Sequence, residues 1–159
     1  MPPLNNIKVH IADLSIREHI DAFVKLTTCY IQDEMGGGTP WTRKRKEKVI
    51  CDLQGHPSCR IFLASSNGEF AGISTCFLGY STFLAKGLIN IHDFFILKSH
   101  RGLGIGRILM DYITNYAVQN NLGKITLEVR EDNPIAQGLY KKSGFQPLDP
   151  EMLFWAKYI

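Results

Sequence analysis

The spacing of hydrophobic positions changes along this chain, and each change predicts an element. Ile7 to Ile11 is short and β-like, a first strand. Ile16, Ile20, Phe23, Val24, Thr27, Tyr30 and Ile31 then recur on one face at helical spacing, a stripe expected to pack into the core. Ser15-Ile16-Arg17-Glu18 precedes them in the form of a capping box. Met35-Gly36-Gly37-Gly38-Thr39-Pro40-Trp41 cannot propagate a helix, so a mobile loop is expected there. Val49, Ile50 and Leu53 supply a thin apolar face for a second helix. Arg60 to Ser65 and Glu69 to Tyr80 read as a hairpin about Ser66-Asn67-Gly68, and Gly87 to Leu97 as the strand that follows. Ile105, Ile108, Leu109, Tyr112, Ile113, Tyr116 and Ala117 mark a third helix. Lys124 to Val129 alternates apolar and polar, which suits a strand parallel to its predecessor across that helix. Asn133-Pro134 opens a last helix, with Asn133 as cap and Pro134 in the first position; it ends at Gly144, with Lys141 and Lys142 in the final turn. Met152 to Tyr158 is aromatic and predicts a closing strand.

Candidate chemistry concentrates between Ile91 and Arg107, where an apolar strand runs into glycines at 102, 104 and 106 and then a helix. That order makes an anion cradle. Bare backbone approaches a ligand closely, and the unpaired N–H groups of the first helical turn favour negative charge. Arg101 and Arg107 flank it with full positive charges. A plain turn seldom needs more than one glycine. A dinucleotide-binding unit is disfavoured, because the spacing is G-x-G-x-G rather than G-x-G-x-x-G and little chain remains for further parallel strands, although Glu128 falls where a ribose-binding acid would be sought.

Arg101-Gly102-Leu103-Gly104-Ile105-Gly106 resembles the R-x-x-G-x-G acetyl-CoA pyrophosphate signature of the GNAT N-acetyltransferase superfamily. Asn133, Ala136, Tyr140, Gly144 and Phe145 are similar to its second block, N-x-x-A-x-x-x-Y-x-x-x-G-F, and the detailed likeness runs from about Leu88 to Phe145. Asn90-Ile91-His92-Asp93, the string from Leu127 to Asn133, and Phe154-Trp155-Ala156-Lys157 further resemble small bacterial members of unassigned substrate. The resemblance implies one α/β domain over residues 1–159: a mixed central sheet of six to seven strands, splayed between the fourth and fifth, flanked by about four helices. It implies an N-acetyltransferase moving acetyl from acetyl-CoA to a primary amine of a small molecule or peptide, by direct attack in a ternary complex. A non-catalytic acyl-CoA-binding or interaction module is the alternative.

The resemblance also assigns roles. Phe94, Phe95 and Ile96 would offer backbone groups to the pantetheine arm and thioester. Arg101, Gly102, Leu103, Gly104, Ile105, Gly106 and Arg107 would hold the pyrophosphate. Asn133, Ala136, Tyr140 and Lys142 would line the cofactor's other side, with Tyr140 as general acid toward the departing sulfur. A tyrosine packed on its helix is the structural alternative. The string I-H-D-F-F-I is similar to L-E-D-F-F-V of polyamine acetyltransferases, where the glutamate contacts the amine; here His92 stands in that place. A histidine suits a general base near neutrality, and a packed structural histidine is the alternative. Strand alternation is expected to point His92 and Asp93 to opposite faces, so that they form no ready dyad. Met35, Gly36, Trp41, Asp93, Thr126 and Glu128 are the further acceptor-side candidates, and the loop carrying Trp41 is a candidate lid.

Composition alters this picture little. With 159 residues, 45% hydrophobic and 21% charged, the chain has the length and balance of one ordinary soluble domain. A net charge of +3 is too mild to indicate nucleic acid. Arg43-Lys44-Arg45-Lys46 and Lys48 read as a solvated helix face, or as an attractor for an acidic acceptor or the anionic cofactor. The four cysteines form no C-x-x-C pair, and Pro2, Pro3, Asn5 and Asn6 do not suit a secretory leader, so reduced thiols in a cytoplasm are expected. No zinc-type spacing and no membrane-length apolar run is present, so neither metal nor membrane is expected. Phe154, Trp155 and Tyr158 are a candidate homodimer surface.

Overall fold

A computed structural model describes residues 6–159, so the leader reading at Pro2, Pro3 and Asn5 lies outside the described residues. Strands β1 (Ile7–Ile11), β2 (Cys59–Ser66), β3 (Glu69–Ser81), β4 (Lys86–Ile96) and β5 (Lys124–Leu127) form one sheet in the order β1-β2-β3-β4-β5. The first three junctions are antiparallel and the last is parallel. Helices α1 (Arg17–Gln32) and α2 (Arg43–Leu53) cover one face; α3 (Ile105–Gln119) and α4 (Pro134–Lys142) cover the other. Phe23, Leu26, Leu63, Ile73 and Phe95 fill the first layer, and Phe62, Ile89, Ile91, Leu109, Met110 and Ile113 the second. No helix among the described residues is long and apolar enough to cross a membrane.

Two local signals act where the sequence puts them. Asn67 and Gly68 both adopt positive φ, 51° and 87°, which matches the right-handed twist of the hairpin joining β2 to β3. Asn133 Oδ1 accepts from Ala136 N–H at 3.1 Å, Pro134 takes the first position of α4, and Gly144 turns left-handed just beyond it.

Three expectations are corrected. Among the described residues the sheet has five strands, not six to seven, because residues 146–159 form neither helix nor strand. Aromatic propensity at Met152 to Tyr158 makes a strand only with an edge to pair against, and Phe154 and Trp155 instead lie 77% and 83% exposed. The capping box is not formed: Ser15 donates through both its N–H and its hydroxyl to Asp13 Oδ1, at 2.8 and 2.7 Å, and Ile16 becomes the cap. A tight aspartate turn has outcompeted the helix-end pairing.

The third correction concerns β4. Thr75 pairs with Asp93 and Cys76 with Ile91, so His92 is an extra residue, a β-bulge. The side-chain phase reverses there. Ile89 and Ile91 pack toward α3 before it, Phe94 and Ile96 pack toward α3 after it, and Phe95 joins the α1 layer. Two residues between Ile91 and Phe94 therefore lean the same way, and His92 and Asp93 share the α1 face rather than opposing one another. Ser74 Oγ, fully buried, donates to the Asp93 carbonyl at 3.0 Å and satisfies backbone at the break. Removing His92 would restore plain alternation from Ile89 to Ile96. A His92 deletion should accordingly fold with a thermal midpoint no lower than the parent, read by circular dichroism; loss of the folded transition would show that the bulge is required for the core.

Candidate functional site

The parallel pairing of β5 with β4 begins at Leu88–Lys124 and stops at Ile91–Leu127, immediately before the bulge. Beyond it, β4 keeps β3 on one side, and its other edge opens into a gap. Leu97 N–H donates to Ala71 on the β3 side, while the Ile96 carbonyl, turned the other way, accepts from Arg101 Nε at 3.1 Å. Alternation along an antiparallel strand then aims the backbone groups of Phe94 and Ile96 into the gap and those of Phe95 at β3. Of the three sequence candidates, Phe95 is thus turned away, its ring 5.5 Å from that of Tyr30.

At the end of the gap stands the glycine loop. Gly102 and Gly104 have φ of 79° and 84°, a region that bars most side chains. The first intrahelical bond of α3 runs from Ile108 N–H to the Gly104 carbonyl, which leaves the N–H groups of Gly104, Ile105, Gly106 and Arg107 for an external acceptor. A Cβ on Gly106 would lie 3.3 Å from Leu139 and 3.8 Å from the Phe94 ring, so this glycine lets α3 approach α4 and β4. The Ile105 side chain is core and Leu103 is exposed. The flanking arginines are engaged elsewhere. Arg107 clasps Asp111 at 2.9 Å and donates to the Lys142 carbonyl at 3.0 Å, while the Lys142 side chain is exposed. Arg101 binds Asp33 at 2.7 Å and lies 5.5 Å over the Phe95 ring.

Asp33 ties down the loop expected to be mobile. Its carbonyl accepts from Gly36 and Gly37, and its carboxylate accepts from Met35 N–H. Burial works against the charged form, but Met35 N–H and Arg101 hold this carboxyl below the ordinary carboxylate range. Gly36 is forced: a Cβ would sit 1.8 Å from the Tyr30 carbonyl oxygen.

Between that loop, α1 and the bulge lies a cavity of about 320 Å³. Thr27, Tyr30 and Ile31 come from α1, Gly36, Gly38 and Trp41 from the loop, and His92 and Asp93 from β4. Trp41 lines the cavity and packs 6.0 Å from Phe23. Met35 and Glu128 do not line it; Glu128 is exposed just past β5. Thr126, within β5, is engaged by Asn90 Nδ2 at 3.0 Å. His92 is exposed, edge-on to Phe77 at 5.9 Å. Burial pushes the Asp93 carboxyl above the ordinary range, while His92 and the Thr75 hydroxyl opposite it pull the other way. Thr75 Oγ1 is buried and makes no well-formed hydrogen bond among the described residues.

Sequence reading missed Tyr30, which it placed in an apolar stripe. Burial, then the charges of Asp93 and Asp33, push its phenol up, and Arg130 opposes them. Its signal was a polar-tipped residue at the end of the stripe, next to a glycine loop. Tyr140 lies beyond, 8% exposed between the rings of Phe94 and Phe145, at 6.0 and 5.9 Å. Burial, followed by Tyr30, pushes its hydroxyl up to about 12. Asn133 and Ala136 stand two turns and one turn before it on α4, Asn133 spent as cap and Ala136 against the core. No cluster of three metal-ligating side chains occurs among the described residues.

The chain is similar to known proteins in sequence and in fold. The profile of the acetyltransferase (GNAT) family matches residues 22–145. An uncharacterized N-acetyltransferase, YhfO of Bacillus subtilis, is 31% identical over 59% of this chain and 62% of its own length. The chain therefore spans less than two thirds of that relative. An uncharacterized N-acetyltransferase of Archaeoglobus fulgidus is 30% identical over 78% of this chain and 84% of its own. An aminoglycoside acetyltransferase from an uncultured soil metagenomic sample, solved with sisomicin, superposes with a TM-score of 0.80 over 96% of this chain and 97% of its own, at 12% identity. With a glycine cradle at a helix start, a parted sheet and a matching profile over most of its length, the chain belongs to the acetyltransferase (GNAT) family.

Proposed function

We propose that this protein transfers an acetyl group from acetyl-CoA to a primary amine, both partners bound at once on either side of the β4 gap. The reading rests chiefly on the register break at His92, where β4 parts from β5 and two ionisable side chains turn into one cavity. The cradle fits the diphosphate of coenzyme A: four free N–H groups, two left-handed glycines, and open space at Gly102 and Gly104, where an added Cβ would meet nothing within 4 Å. Acetyl-CoA, the acyl donor used across this family, supplies a thioester already activated for attack. Gly102 to Arg107 hold its diphosphate through backbone, with Lys142 at the rim, and the backbone of Phe94 and Ile96 holds its arm.

The remaining work belongs to side chains. Asp93 holds the incoming ammonium, and an imidazole nitrogen of His92 takes its proton and passes it to solvent, to which His92 is open. Phe94 N–H, fixed in the gap, receives the charge that builds on the acyl oxygen, an effect worth about 3 kcal/mol in comparable sites. As the nitrogen–carbon bond forms and the carbon–sulfur bond breaks, Tyr140 Oη donates a proton to the departing sulfur and regains one, relayed by solvent, from the newly bonded nitrogen. Burial keeps that phenol protonated throughout the neutral range.

Tyr140→Phe keeps the ring between Phe94 and Phe145, so it should lower kcat by about 10²-fold with little change in acetyl-CoA affinity. Steady-state kinetics by thiol release, alongside calorimetry with coenzyme A, measures both. Unchanged kcat removes the phenol from the reaction, and the absence of any binding heat removes the reading itself.

Asp93 carries an opposing prediction. Its folded value lies above its unfolded one, so the stability tied to its protonated form is full below the ordinary carboxylate range and is lost as pH rises through the raised value. Asp93→Asn should therefore melt above the parent by a margin that grows as pH rises above the ordinary carboxylate range, while acceptor KM rises. A margin constant with pH would show that Asp93 is not a strained charge.

A further inference from the structure

A second cavity of about 180 Å³ adjoins the first and shares Thr27, Trp41, His92 and Asp93 with it. It runs beneath α2, and its walls are Phe23, Trp41, Val49, Leu53 and Phe77. An apolar cavity of about 150 Å³ already accepts benzene, so this slot has room for a single ring or a branched alkyl group. Its polar end is narrow in kind: Asp93 is the one carboxylate among the described residues that line either cavity.

The surroundings repel further positive charge. α2, which roofs the slot, carries Arg43, Lys44, Arg45, Lys46 and Lys48 against Glu47 and Asp52. Both acids are already taken, Glu47 by Arg43 at 2.8 Å and Asp52 by Lys48 at 2.7 Å. Of the two carboxylates at the root of the loop, Asp33 is held by Arg101, and Glu34 is exposed and lines neither cavity. A second ammonium would thus enter without a counter-charge and face a basic helix, which a largely apolar site does not offset.

Resting on the transfer reading above, we infer that the acceptor is a singly charged amine on a compact apolar or aromatic body, the ammonium at Asp93 and the body in the slot under α2. Polyamines and multiply charged aminoglycosides are excluded, although a structural neighbour was solved with sisomicin. Ring burial sets the discrimination: removing one aromatic group from water yields about 1.5–3 kcal/mol, or roughly ten- to hundredfold in affinity.

The chain has two tryptophans, and Trp155 lies in the exposed tail, so Trp155→Phe leaves Trp41 as the sole indole reporter. In that background, 2-phenylethylamine should quench fluorescence saturably, with a Kd at least about tenfold below those of spermidine and sisomicin. Val49→Phe, which fills the slot from a half-buried helical position, should raise that Kd about tenfold or more with the circular dichroism melt retained. Equal or tighter binding of either polycation overturns the inference, as does an unchanged Kd in Val49→Phe or no quenching by 2-phenylethylamine. Free-thiol release from acetyl-CoA in the same mixtures separates the two proposals. Saturable binding of 2-phenylethylamine without thiol release upholds the amine site and removes transfer, whereas release with spermidine alone upholds transfer and removes this acceptor class.

Discussion

The unmatched residue in β4 is the constraint from which the remaining geometry follows. A strand flanked on both sides by regular partners exposes no backbone, and one in strict alternation cannot send neighbouring side chains to one face. The extra residue at His92 lifts both restrictions at once. It ends the parallel pairing at Ile91–Leu127 and leaves Phe94 and Ile96 with free backbone on one side. It also sets His92 and Asp93 side by side in one cavity. Ser74 makes the arrangement tolerable by taking the Asp93 carbonyl from below.

Around this break, positive backbone ends and positive side chains are separated. Arg101 and Arg107 look from the sequence like anion ligands, yet both are occupied in joining elements, Arg101 to the Asp33 loop and Arg107 to the end of α4. The anion site is left mostly to dipoles of fixed direction. Such donors lose no side-chain entropy on binding and need no reorganisation when a ligand arrives. The acceptor side is built the other way, from aromatic rings and a single carboxylate held above its ordinary protonation range.

What could be read from sequence was what depends on neighbours within a few residues. Asn133 with Pro134, Asn67 with Gly68, and Gly102 with Gly104 each carry their own conformational reason, and each acts where it stands. The resemblance implies a splay between the fourth and fifth strands, but its position at His92 is not legible, because register is settled by the partner strand, at Thr75 and Cys76, far away in the chain. A trace is nevertheless present: the alternation at Ile89 and Ile91 is broken by two adjacent polar residues, His92 and Asp93, before the apolar run Phe94 to Leu97. The tail from Met152 failed as a strand for the converse reason. Its residues favour extended backbone, and propensity does not supply a partner.

Arg101 has a consequence of its own. One guanidinium is shared between the Ile96 carbonyl at the donor gap and the Asp33 carboxylate at the root of the acceptor loop. Swinging that loop outward either strips a half-buried anion of its counter-ion or, where Arg101 follows Asp33, leaves a carbonyl at the gap without its donor. The walls of the two compartments are, in effect, bolted through a single pin and shift only as a unit.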